Sequence, residues 1–130
     1  MENAKEYMWQ AMTNAAKKAV ELWQQAIALI WLGRCGLCHS QGVAGHHIFG
    51  RRFKEAKFCV MNGIYVCLSC HEWADKNDKA LLAVLEIKYP ALYLWHIEHE
   101  AEFNTQVKWH TTSYYKEKVD ELRQVIADLT

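Results

Sequence analysis

The chain of 130 residues has a single proline, six glycines and no surplus of either charge, fifteen basic residues standing against fifteen acidic ones. That balance withholds the global field that would advertise a nucleic-acid or membrane surface, so electrostatic attraction has to be local. Long apolar runs are missing too. The longest, AIALIWL at 26–32, falls far short of the roughly 20 residues a bilayer crossing needs. The opening MENAKEYMWQ lacks the basic-then-apolar layout of a secretory leader, which makes a soluble cytoplasmic protein with no membrane partner the expectation. Disulfides rarely persist in that compartment, so the five cysteines call for another explanation. The length and an apolar fraction of 52 % suit one folded domain over 1–130.

Helices are expected where glycine and proline are absent. Residues 4–30 contain neither, and Ala4, Met8, Ala11, Ala15, Ala19, Leu22, Ala26 and Ile30 recur at steps of three and four. The spacing predicts an N-terminal amphipathic helix within 1–32, ended by Gly33 as a left-handed cap. All six glycines lie between 33 and 63, where the chain should turn often. Inside that window VAGHHIF at 43–49 and IYVC at 64–67 carry the β-branched and aromatic residues of two short strands. After Cys67, LSCHEWADKN suits a helix, and Asp78 is placed to cap another through KALLAVLEIKY. Pro90 interrupts before ALYLWHIEHEAEF resumes. Thr112 or Ser113 can cap a last helix in which Tyr115, Val119, Leu122, Ile126 and Leu129 step by four and three. The fold class is therefore mainly α with a small β hairpin: a core at 33–78 between an N-terminal helix and C-terminal helices at 79–130. The seam of the last helix suits either the first helix or a homodimer through the terminal helices. Trp9, Trp23, Trp31 and Trp95, at helical spacing, are read as packing.

Four of the five cysteines form two copies of C-x-x-C-H, CGLCH at 35–39 and CLSCH at 67–71. The pattern matches covalent haem attachment, but maturation of c-type haem follows export and no leader is visible. A thioredoxin-like dithiol wants one such pair in an α/β chain, whereas here there are two pairs and few strands. Two knuckles supplying four thiolates complete a tetrahedral shell, so Cys35, Cys38, Cys67 and Cys70 are assigned to a structural zinc. Cys59 has no partner at ligand spacing and is read as a small buried residue.

Between and after the knuckles stand GHHIFGRR at 45–52, Asn62 five residues before Cys67, and His71 directly after Cys70. Taken in order, C-x-x-C, H-H-I, N-x-x-x-x-C and C-x-x-C-H, these residues resemble the HNH endonuclease family in the cysteine-containing form common among phage and bacterial proteins. The resemblance covers about 33–78. It implies a ββα-metal core braced by zinc and hydrolysis of DNA phosphodiesters, leaving 3′-hydroxyl and 5′-phosphate ends. Strand neighbours point to opposite faces, which already favours a division of labour between His46 and His47. By position in the motif His46 matches a metal ligand and His47 the general base. His71 would join His46 at a catalytic divalent ion, Mg²⁺, Mn²⁺, Ni²⁺ or Zn²⁺, and Asn62 would orient the base or join the metal shell. Where some members carry a second helix histidine this chain has Asp75, an oxygen ligand suited to Mg²⁺ or Mn²⁺ or else a solvated residue.

From 33 to 72 five basic residues face two acidic ones. Arg51, Arg52 and Lys54, just past the base strand, are the expected DNA phosphate contacts. His39, His96, His99 and His110 are read as bystanders. Two rival readings remain: a non-catalytic zinc module gripping nucleic acid or protein, and, remotely, a dihaem c-type protein.

Overall fold

A computed structural model describes residues 2–48, 56–105 and 111–130, with side chains over 13–48, 56–101 and 111–130. The chain runs α1 (Glu2–Ile30), β1 (Ala44–His47), a 3-10 turn (Val60–Asn62), β2 (Gly63–Val66), α2 (Leu68–Lys76), α3 (Asp78–Lys88), α4 (Pro90–Thr105) and α5 (Thr112–Leu129). Among the described residues it is mostly helical with one two-stranded antiparallel hairpin. Among the described residues, no helix is long and apolar enough to cross a membrane.

The helix ends follow local chemistry, with small corrections to the expected caps. At the end of α1, Gly33 N–H reaches Ala28 O at 2.8 Å and Leu32 N–H reaches Leu29 O at 3.2 Å. In this Schellman arrangement the first left-handed residue is Leu32 (φ 56), and Gly33 (φ 71) comes after it. Asn77, not Asp78, precedes the first turn of α3. Pro90 opens α4, where its missing N–H costs nothing. Thr111, one residue before the expected cap, accepts the Tyr114 N–H at 3.2 Å and starts α5.

The hairpin pairs Ala44 with Val66, Gly45 with Tyr65, His46 with Ile64 and His47 with Gly63. Alternation along the strands divides them between two cores. Ile64 and Val66 enter a cluster with Cys35, Ala74, Leu81, Leu85 and Leu92, built by the first knuckle and α2 to α4. On the other face, Tyr65 packs against a cluster of Ala19, Leu22, Trp23, Ala26, Ile27, Phe58, Val119 and Leu122. The seam of α5 thus packs on α1 of the same chain. Each large side chain buried in these cores contributes about 1.5–3 kcal/mol, and Trp31 touches both.

Two glycines decide how closely α1 approaches the strands. A Cβ at Gly45 would lie 2.8 Å from the Trp23 ring, and one at Gly63 would lie 2.7 Å from it. Glycine inside a strand commonly marks such a close approach. The first knuckle is tied to β2 by Gly36 N–H donating to Tyr65 O at 2.8 Å. Farther out, Tyr89 Oη and Lys88 Nζ donate to the carbonyls of Gly36 and Leu37 at 2.7 and 2.9 Å.

Candidate metal centres and the histidine cleft

The four knuckle cysteines come together from opposite ends of the core. Cys35 and Cys38 sit on the tight turn after α1, while Cys67 precedes α2 and Cys70 lies in its first turn. Their sulfurs all lie within 4.8 Å of one another, positioned to hold a metal ion. Cys38 Sγ and Cys67 Sγ are 3.7 Å apart, well beyond the ~2.05 Å of a disulfide, and all five cysteines are free thiols.

The thiols differ in acidity. Ser40, through its side chain, 2.9 Å from the sulfur, and then its backbone, holds Cys38 down at about 6. A hydrogen bond from the Cys70 backbone lowers Cys67. Burial pushes Cys70 up instead. Four thiolates this close repel one another unless a cation sits among them. Cys59 is half-buried, and its carbonyl accepts the Trp23 Nε1–H at 3.0 Å.

A second group forms where α2 meets β1. His46, His71 and Asp75 bring three ligand atoms within 4.8 Å of one another. His46 projects from β1, while His71 and Asp75, four residues apart, share one face of α2. Asp75 lies between the two imidazoles, 3.5 Å from His46 Nδ1 and 3.2 Å from His71 Nδ1. The rings stand edge to face, 5.2 Å apart. Burial lowers the His46 pKa below its ordinary value, partly offset by the charge of Asp75, so the imidazole keeps a lone pair for a cation at neutral pH. A neutral imidazole, a second imidazole and a carboxylate suit several divalent metals.

His47 points the other way along the strand, as alternation requires, onto α1. Its ring lies flat against Trp23, centroids 3.9 Å apart and planes 4° from parallel. The Nε2 lies 2.9 Å from Lys57 O. A carbonyl only accepts, so Nε2 carries the proton and the lone pair of the neutral ring belongs to Nδ1. Gly45, His46, His47, Ile48, His71, Asp75 and Asp78 line one cleft of about 390 Å³. Opposite strand faces therefore still reach a common cavity at the hairpin's edge.

Asn62 is fully buried and does not line that cleft; its Nδ2 donates to Ala56 O at 3.0 Å. It braces the same 56–59 turn whose Lys57 carbonyl meets His47. Arg51, Arg52 and Lys54 lie outside the described residues, as does His110. His39 is exposed with φ 67. His96 is buried, which pushes its pKa down to about 4, and His99 stacks on Trp95 at 4.5 Å. Spacing alone singles out the cysteine set, and the motif resemblance adds His46, His71 and Asp75. It presents Trp23 only as packing, and Gln24 and Asp78 carry no motif. The usable signal is Gly45, a glycine inside a strand beside the histidines. Comparison of the chain with family models, with curated proteins and with solved structures finds no match.

Proposed function

We propose that the chain is a metal-dependent endonuclease of the HNH type that hydrolyses DNA phosphodiester bonds. The observation that carries this reading is the single cleft shared by His47, with its proton on Nε2, and by the His46, His71 and Asp75 group. The order β1, β2, α2 around these residues agrees with the ββα-metal core that the motif implies. A nucleophile-activating base beside a cation site is the pairing that phosphodiester hydrolysis needs.

In this mechanism His47 Nδ1 accepts a proton from water as the oxygen attacks phosphorus, and Lys57 O holds the Nε2–H and so the tautomer. The bond from phosphorus to the 3′ oxygen breaks, and that oxygen leaves as the 3′-hydroxyl after taking a proton from solvent, with phosphate remaining on the 5′ end. His46, His71 and Asp75 would hold the divalent cation. Such an ion would supply positive charge against the charge that builds on the phosphate and leaving oxygens. Asn62 keeps the 56–59 turn in place. Arg51, Arg52 and Lys54 contact backbone phosphates.

The knuckle metal is zinc in this reading and serves as a brace. A Zn–S bond of about 2.3 Å gives a tetrahedral edge of about 3.8 Å, and the spacing of Cys38 Sγ from Cys67 Sγ, 3.7 Å, agrees with it. The test is nicking of supercoiled plasmid in Mg²⁺, Mn²⁺, Ni²⁺ and Zn²⁺ by the wild type and by His47→Ala. Nicking that disappears in the variant while bound zinc and folding persist is expected. Equal nicking by both, or none by the wild type in any metal, refutes the reading.

A further inference from the structure

Helix α1 meets the hairpin through contacts that fix orientation as well as bury area. Trp23 is 1 % exposed, and its indole covers one face of the His47 imidazole in a parallel stack. The stack is anchored to one turn of backbone. Trp23 Nε1–H donates to Cys59 O at 3.0 Å, and His47 Nε2–H donates to Lys57 O at 2.9 Å. Asn62 Nδ2 takes the Ala56 carbonyl of the same turn. Next along α1, Gln24 clips the strand beneath the histidine: its Oε1 accepts Gly45 N–H at 2.6 Å and its Nε2 donates to Gly45 O at 3.1 Å.

Apolar burial is non-directional and asks for none of this. Rotation about χ2 of a histidine is soft, and a hydrogen bond to one ring nitrogen does not by itself fix the ring plane. A flat indole fixes that plane, and the carbonyl selects the edge. Gly45 and Gly63 are what let the indole come so near, since a Cβ on either would press into it.

We propose that Trp23, supported by Gln24, is the positioning residue of the His47 base, which makes α1 part of the cleavage site. The inference rests on the reading of His47 as the group that takes the proton from water. Trp23 touches neither water nor phosphate in this scheme. Its effect passes through the orientation of Nδ1, and misplacement of a reacting group by about 1 Å can cost roughly 100-fold in rate.

The experiment uses the zinc-loaded full chain, supercoiled plasmid and Mn²⁺, with Trp23→Leu, Trp23→Phe, Gln24→Met, His47→Ala and, as a core control from the same helix, Ile27→Ala. Single-turnover nicking rate and half-saturating plasmid concentration are read together with the proton shifts of the His47 ring. An indole stacked on that ring moves those shifts upfield whether or not the protein cuts DNA. Trp23→Leu is expected to lower the rate about 10- to 100-fold with unchanged half-saturation, and Gln24→Met to lower it less. Trp23→Phe, which restores an aromatic plane, is expected to recover most of the rate. Ile27→Ala should melt earlier yet cut at close to the wild-type rate.

A folded Trp23→Leu protein that cuts at the wild-type rate overturns the inference while leaving the nuclease reading intact. An Ile27→Ala protein that loses as much rate as Trp23→Leu overturns it equally, because stability then explains both. If Trp23→Leu does not fold, the wild-type His47 shifts decide, and unshifted ring protons overturn the stack. A wild type that never cuts, with upfield His47 shifts still present, refutes the nuclease reading and the positioning role together.

Discussion

The two C-x-x-C-H stretches share a pattern and a hydrogen bond but part company at the fifth residue. In the first, His39 N–H donates to Cys35 O at 2.9 Å; in the second, His71 N–H donates to Cys67 O at the same 2.9 Å. Each closes a turn that brings two sulfurs together. After that turn the backbone goes left-handed at His39, with φ 67, and the imidazole stands exposed. At His71 the chain continues as α2, and the ring stays on the face that also carries Asp75. The residues just after each copy account for the difference. Ser40 and Gly42 favour a turn, whereas Glu72 and Ala74 favour a helix. A knuckle dictates where its sulfurs go and leaves the next side chain to the adjoining element.

The strongest challenge to this contrast is to break the feature the copies share. Cys38→Ser and Cys70→Ser are each expected to release the knuckle metal and to cost on the order of 5 kcal/mol or more, since structural zinc supplies about 10–16 kcal/mol to small folds. Metal content and thermal melting check this, and an unchanged metal stoichiometry in either variant would show that the sulfurs do not act as one set. Next come the histidines the copies do not share in role. His71→Ala should lower plasmid nicking by about 100-fold or more while keeping the knuckle metal. His39→Ala should stay within about twofold, as expected of a surface change. Similar losses in both would erase the asymmetry.

A finer test concerns the reach of the second copy along α2. Asp75→Asn removes the charge but keeps an oxygen between His46 and His71, so a loss of about tenfold is expected, recovered in part at higher Mn²⁺. No loss at all would make Asp75 a solvated surface residue. The smallest effect is on stability and comes mainly from the backbone. His39→Gly relieves a left-handed residue and is expected to raise stability by about 0.5 kcal/mol, whereas His71→Gly should lower it by about 1 kcal/mol inside the helix. Chemical denaturation of the two variants would read the difference in sign.

Much of the candidate site is legible in the sequence because parts of each grouping are local there. Spacing of two residues brings each cysteine pair together, and a four-residue step sets Asp75 over His71 on one helical face. The caps are less legible. Leu32 occupies a left-handed position usually left to glycine, and Thr111 caps α5 where two neighbours look equally able. Hydroxyl-bearing residues in succession differ little in propensity, and the choice falls to which one's φ and ψ the preceding chain permits.

By itself the sequence determined the helical faces, the alternation that sends His46 and His47 to opposite sides of β1, and the pairing of thiols within each knuckle. These arise from periods of 3.6 and 2 and from short covalent reach. Tertiary structure decided what those side chains meet. The indole of Trp23 lies on His47 across 24 residues of chain, and the Lys57 carbonyl selects the tautomer. Neither contact leaves a periodic trace, because a close approach between distant segments depends on packing two surfaces together, and a sequence pattern records only which face each element turns inward.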